Sequence, residues 1–268
     1  MNARRRGQRL AQGAMMSSGI DPRTIVSSLR FLPSFVSNTF RYAKNHVKGD
    51  PFPLRLGDLF PILGDAHAPS GVANGHYFHQ DLYMAKRIFA AKPTRHVDVG
   101  SRVDGFVAHV LSFMPVTVVD VRSLVSNVDG LEFLQDDGAT LARFETNSVE
   151  SLSSLHAVEH FGLGRYGDPV DPNAWKHAVQ SYCRVLAPGG TLYFAVPVGR
   201  ERLEYNAHRV FSPSTILDAF SELVLVEFCA VNDAGDLDTS AQIADYERAE
   251  YACGLFVFRK PGARAPSK

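Results

Sequence analysis

The stretch Leu155 to Pro169, LHAVEHFGLGRYGDP, gathers groups that can move protons or hold a ligand. His156, Glu159 and His160 spell H-x-x-E-H, a pattern that in some hydrolases supplies two zinc ligands and a carboxylate. Gly162 and Gly164 then free a loop that carries Arg165, Tyr166 and Asp168. A guanidinium can fork onto a phosphate or carboxylate. A histidine, with a reference pKa of about 6.5, can take a proton near neutral pH. Zinc hydrolysis needs His156 and His160 one helical turn apart, plus a third ligand. The residues before His156 read as a strand, and Gly162 ends any helix almost at once. The alternative is a strand end that turns into the mouth of a ligand pocket, with no metal.

A second set of candidates follows RHVDVG (95–100), a short apolar strand that meets a glycine: Asp98, Gly100, Ser101, Arg102 and Gly105. Glycine there permits a tight turn and a close approach of ligand to backbone. The helix behind it offers unpaired N–H groups. The next strand, VTVVDV (116–121), carries Asp120, suited to accept both hydroxyls of a nucleoside ribose. Arg102 stands where a dinucleotide fingerprint has its second glycine, which counts against an NAD-linked oxidoreductase.

The pattern around these groups predicts the elements that hold them. Helices are expected over 80–91, 104–113, 172–190 and 212–220. Strands are expected over 95–100, 116–121, 131–135, 148–156, 191–198, 223–231 and 253–260. Strands alternating with helices imply βαβ units and a parallel sheet. Ligands of such a sheet bind beyond the carboxyl ends of its strands. The last two strands lack a clear crossover helix, so the final one is expected to run antiparallel. The predicted fold is α/β: a Rossmann-like, doubly wound, mostly parallel seven-stranded sheet with helices on both faces.

Ahead of this domain, Ile25, Leu29, Leu32, Val36 and Phe40 recur at helical spacing among basic residues. Residues 22–48 could therefore touch an anionic membrane surface, although Pro33 interrupts the pattern. Residues 50–75 read as an irregular linker. The expected organisation is a flexible basic tail (1–20), a helical extension with linker (21–75), the main domain (76–260) and a flexible tail (261–268). Hydrophobic residues make up 45% of the 268, enough for a sizeable core, and the formal net charge is zero. Neutrality argues against a nucleic-acid partner. Cys183, Cys229 and Cys253 form no C-x-x-C pair, so neither a disulfide framework nor a zinc site is indicated. With no apolar run of about 18 residues, no transmembrane segment is expected. The expected location is cytoplasmic, with a peripheral position at the inner membrane as the variant.

The ordered strings SLSSLHAVEHFG, CRVLAPGGTLYFAVPV and HRVFSPSTI resemble the class I S-adenosylmethionine-dependent methyltransferases. Arg184, Leu186, Pro188, Gly189, Gly190, His208 and Phe211 fall on that group's R-x-L-x-P-G-G and H-x-x-x-F segments. More closely, HVDVGSRVDGFVAHVLSF, EHFGLGRYGDP and NAHRVFSP resemble a bacterial methyltransferase-like group, domain-of-unknown-function family 268, often linked to surface-polysaccharide synthesis. Arg102 matches that group's G-S-R variant.

The resemblance implies S-adenosyl-L-methionine as cofactor. Asp98, Gly100, Ser101 and Gly105 would shape its methionine end. Asp120 would hold the ribose, Val121 would line the adenine, and Asp136 or Asp137 would read the adenine amino group. Leu155 and His156 would close the pocket below the sulfonium. Methyl transfer to a hydroxyl also needs a base, for which His160 and His208 are the candidates with Glu159 beside them. Arg165 and Arg209, with Tyr166 and Asp168, would face the acceptor, expected to be a sugar or surface-glycan precursor such as a nucleotide sugar or acidic sugar. Arg165 and Asp168 could instead simply pin the loop. The rival readings are a non-catalytic partner protein of the same fold and, further off, a zinc hydrolase.

Overall fold

A computed structural model describes residues 22–63, 65 and 68–262. The tail expected at 1–20, and residues 263–268 of the tail expected at 261–268, lie outside the described residues. The chain divides into two compact units, residues 1–72 and 73–268.

In the first unit a helix, α1 (Pro22–Asn45), runs through Pro33 without a break, where an interruption is expected. A 3-10 turn, Leu56–Asp58, follows it. Among the described residues no helix is long and apolar enough to cross a membrane.

The second unit is built on one sheet. Its strands are β1 (His96–Val99), β2 (Val116–Asp120), β3 (Leu131–Gln135), β4 (Val149–Leu155), β5 (Leu186–Val198), β8 (Val224–Val231), β9 (Leu237–Asp238) and β10 (Ala252–Arg259). Their order is β3-β2-β1-β4-β5-β10-β8-β9. The β3 to β5 half is parallel throughout. β10 is antiparallel to both β5 and β8, as expected for the last strand. The seven expected strands are all present. The eighth, β9, is a two-residue edge too short to leave a period-two signal. A separate hairpin joins β6 (Arg202–Glu204) to β7 (His208–Val210).

Helices cover both faces. On one side lie α2 (His76–Ala91) and a π turn (Val103–Val107) that runs into α3 (Ala108–Leu111). On the other lie α4 (Ala174–Val185) and α5 (Pro213–Ala219). A short α6 (Ile243–Tyr246) sits in the acidic segment before β10. Strand alternation sorts side chains between the two sides. Leu192, Phe194 and Val196 of β5 pack with Ala178, Tyr182 and Phe220. Tyr193 and Ala195 pack with Met84, Ile88 and Phe106.

Several boundaries shift: α2 begins at His76 rather than at 80, and the helix expected over 104–113 is the π turn followed by α3, which ends at Leu111. Helix α4 stops at Val185 and β5 begins at Leu186, so Pro188-Gly189-Gly190 belongs to an irregular strand start, not to a helix end. The weak pattern of β4 also has a physical cause. Ser151, Ser153 and Ser154 are buried, and their hydroxyls serve polar partners on β1 and α4.

Candidate active site

Three strand ends make a cleft. Gly100 follows β1 with φ +72°, and a Cβ there would lie 2.9 Å from Ala157 Cβ, so the turn needs glycine. Its N–H donates to Val119 O (3.0 Å), tying this turn to β2. Ser101 ties it to β4: its hydroxyl donates to Asp98 Oδ1 (2.6 Å) and accepts from the Leu155 N–H (3.0 Å). Asp98 itself is fully buried and also accepts from the Ser153 hydroxyl (2.5 Å) and the Ser101 N–H (3.1 Å). Burial pushes its carboxyl up to about 6 against these hydrogen bonds, with Asp120 adding to the rise. Beside it, His96 is held between Ser151 (2.8 Å) and Ser153 (2.9 Å), and burial lowers its pKa to about 3.

The cleft encloses about 1090 Å³ of empty space, counting its open mouth. Of the expected site residues, Gly100, Ser101, Arg102, Asp120, Val121, Asp137, His156, His160, Tyr166 and Asp168 line it. Asp98 and Leu155 lie beneath the lining as supports. Gly105 faces helix α2, where a Cβ would collide with the Asp81 carboxylate. Asp136 and Glu159 are set behind the wall. Asp136 Oδ1 caps the Asp137 N–H (2.9 Å), and the Asp136 N–H donates to Asp120 O (3.2 Å).

The loop after β4 does not form the helix that a zinc protease requires. His156 has φ +52°, and only one 3-10 turn, Val158–His160, follows. Glu159, 1% exposed, lies between both histidines, with Oε1 2.7 Å from His156 Nδ1 and 3.7 Å from His160 Nε2. Burial pushes the Glu159 carboxyl up, but the two histidines hold it below its usual range. Burial disfavours the charged form of His156, yet the adjacent Cys253 sulfur and Glu159 carry its pKa well above the usual value.

His160 differs from its neighbour. Its Nδ1 lies 2.7 Å from the Ala207 carbonyl oxygen, which only an N–H can serve. The other ring nitrogen, Nε2, then carries the lone pair. Burial lowers the His160 pKa more than Glu159 raises it, so the ring is neutral at pH 7. The His208 ring lies 6.4 Å from that of His160, behind the wall of the cleft, and burial lowers its pKa too.

The loop is pinned from several sides. Asp168 accepts from the N–H groups of Gly162 (2.8 Å) and Tyr166 (3.2 Å). Arg165 donates to Ala207 O (2.8 Å), and Arg209 donates to Phe161 O (2.7 Å). Both guanidiniums are thus placed as anchors of the loop, outside the lining. Arg122, which sequence reasoning missed, enters the site instead. It forks onto Asp120, with Nη2–Oδ2 2.6 Å and Nε–Oδ1 3.0 Å, and stacks on Tyr166 at 4.6 Å. Tyr77, Gly138, Phe161 and His177 are further lining residues missed. Arg122 left a readable trace, two positions after Asp120 in the chain. Tyr77 left none.

This sheet order, with parallel strands and antiparallel β10 inserted between β5 and β8, is the Rossmann-like fold of the class I S-adenosylmethionine-dependent methyltransferases. Solved structures bear that out at low identity. The chain is similar to a protein in the complex of the Haloferax volcanii Trm112 methyltransferase activator and a putative methyltransferase (18% identity, TM-score 0.50, 71% of this chain, 92% of that one). It is similar to the Burkholderia thailandensis 1,6-didemethyltoxoflavin-N1-methyltransferase with bound 1,6-didemethyltoxoflavin and S-adenosylhomocysteine (15%, TM-score 0.51, 68% and 78%). It is also similar to the 4+2 cyclase SpnF (14%, TM-score 0.50, 73% and 90%). One fold thus hosts different reactions, and function must be argued from the site. No curated protein matches the sequence. The profile of the family described as "Caenorhabditis protein of unknown function, DUF268" matches residues 108–259, and the chain belongs to that family.

Proposed function

We propose that this protein is an S-adenosylmethionine-dependent methyltransferase acting on a hydroxyl, with a sugar or surface-glycan precursor as acceptor. The observation that carries the reading is one cleft bearing the Gly100 turn and the Asp120 carboxylate at one end and a neutral His160 at the other. The lining fits the cofactor. Gly100 leaves room where a Cβ could not fit, and Asp120 offers two acceptor oxygens 14% exposed to solvent. Asp137, Asp168 and Asp171 also line the cleft, which favours a cationic sulfonium.

When bound, the cofactor supplies a methyl group already activated by the sulfonium. The chain's own residues do the rest. Asp120 holds the ribose and Val121 packs beside the base. Asp98, through Ser101, fixes the turn on which the methionine end rests. His160 takes the acceptor's proton at Nε2 while the Ala207 carbonyl holds its other nitrogen. Arg165, Arg209 and Asp168 hold the loop that excludes water, and Tyr166 presents its ring to the acceptor.

The test is calorimetry with S-adenosylmethionine and S-adenosylhomocysteine. Saturable binding of both is expected. No heat with either ligand at millimolar concentration would instead support the non-catalytic partner reading.

A further inference from the structure

We propose that His76, His156 and Cys253 form a binding site for a divalent zinc-type cation, with Glu159 orienting His156. No motif joins these residues in the sequence. The topology brings them together at one edge of the sheet. His76 is the first residue of α2, the helix that leads down into β1, so it lies at the carboxyl end of the parallel strands. His156 directly follows β4. Cys253 is the second residue of β10, which runs antiparallel and so begins at the same edge.

The ligand atoms of the three residues all lie within 4.8 Å of one another. Zinc takes nitrogen at about 2.0–2.1 Å and sulfur at about 2.3 Å, so tetrahedral closure needs spacings of roughly 3.3–3.7 Å. The groups need to move together by only about 1 Å to reach it.

Three observations point to a ligand rather than a chance grouping. His156 is nine-tenths buried, and its Nε2 has no well-aligned hydrogen-bond partner, with the Cys253 sulfur the polar group beside the ring. Its Nδ1 is already held by Glu159 at 2.7 Å. A carboxylate on one nitrogen of a ligating histidine is the usual support for coordination through the other. His76 is held in the same manner, with Nε2 3.1 Å from the Tyr251 carbonyl oxygen.

Charge supports the same reading. A dication here would be balanced by the Cys253 thiolate and the Glu159 carboxylate, whose second oxygen is also without a hydrogen-bond partner. Three protein ligands leave a fourth position open, as in sites that bind water or substrate. His156 lines both the main cleft and a hollow formed with Asn74, His76, Asp233 and Tyr251, which gives an ion a path from solvent. An acceptor hydroxyl on that fourth position would be acidified beside the cleft, and this last clause alone rests on the methyl-transfer reading.

The experiment uses the full-length protein, stripped with a chelator and then titrated with zinc or cobalt(II). One zinc per chain is expected by elemental analysis. Cobalt is expected to give a near-ultraviolet thiolate-to-metal charge-transfer band. Cys253→Ser should abolish the band, and His76→Ala should weaken cobalt binding about tenfold or more. His76 is half-buried at a helix start, so its variant remains informative if Cys253→Ser does not fold. Protein that takes up no zinc and shows no band overturns the proposal, as does a band unchanged in both variants. Either result would leave Glu159 and His156 as a buried ion pair. Calorimetry of the stripped protein with S-adenosylhomocysteine separates the two readings, since binding without metal preserves the methyl-donor site.

Discussion

Arg122 closes on the carboxylate of Asp120 from two directions, its guanidinium at 2.6 and 3.0 Å and its own backbone N–H at 2.8 Å. The pair fills the place proposed for the ribose. Arg122 is half exposed and rests on the ring of Tyr166, so it can swing away while Asp120 stays fixed at the end of β2. Asp120→Ala should weaken S-adenosylhomocysteine binding about tenfold or more, from roughly 1.5 kcal/mol for a hydrogen bond to a charged group. Arg122→Ala should strengthen binding, because the ribose no longer competes with an ion pair. Isothermal titration of the two variants distinguishes the roles. Unchanged affinity in Asp120→Ala would reject the ribose assignment, and weaker binding in Arg122→Ala would make the arginine a ligand contact.

His160 offers a prediction that needs no substrate. Its Nδ1–H is bonded to Ala207 and burial lowers its pKa, so the neutral form should persist below pH 6.5. As a base it is active only when deprotonated, so the acidic limb of turnover should lie below that pH. Nitrogen-resolved NMR of the ring would give both tautomer and titration. A proton on Nε2, or a midpoint above 6.5, would count against it. His160→Ala should lower turnover more than cofactor affinity, and turnover at the wild-type rate would remove it from the mechanism.

Much of this architecture is legible in the sequence because apolar strands alternate with amphipathic helices, a signal each segment carries by itself. The site is only partly legible. Gly100, Ser101 and Asp120 sit where a strand meets a turn, so local order gives them away. Gly105 matches the same local pattern but turns toward Asp81 in α2, a fact decided by packing. The serines of β4 mask a strand because their partners, His96 and Asp98, lie on a neighbouring strand far away in sequence. Cys253 reads as a lone cysteine until antiparallel β10 brings it to His76 and His156.

Gly162 should tolerate no side chain. Its φ is +73°, and a Cβ would overlap the Asp171 carbonyl oxygen and lie 2.8 Å from Ala174 Cβ. Its N–H is also the one Asp168 caps at 2.8 Å. Gly162→Ala should destabilise the domain by roughly 2–3 kcal/mol, from left-handed strain together with a displaced loop. At roughly 2–4 °C per kcal/mol for a domain of this size, Tm should fall about 4–12 °C. Gly167→Ala is the control, since a Cβ there meets nothing within 4 Å although φ is +85°. Equal melting shifts in the two variants would show that backbone strain alone, and not the Asp171 contact, sets the cost.

Asp98 ties the fold to pH in a direction opposite to that of a typical carboxylate. Its pKa rises from 3.8 to about 6 in the folded protein, chiefly through burial. Between those values the folded state holds a proton that the unfolded chain has released, so stability falls as pH rises through this window. A shift of about two units corresponds to roughly 3 kcal/mol, fully lost above pH 6. Asp98→Asn removes the titration and keeps a polar side chain for Ser101 and Ser153. Unfolding free energies of the two proteins from pH 4 to pH 7 should therefore diverge. The wild type should lose this increment and the variant should not. Parallel curves would show that Asp98 stays ionised in the fold, with its three hydrogen bonds outweighing desolvation.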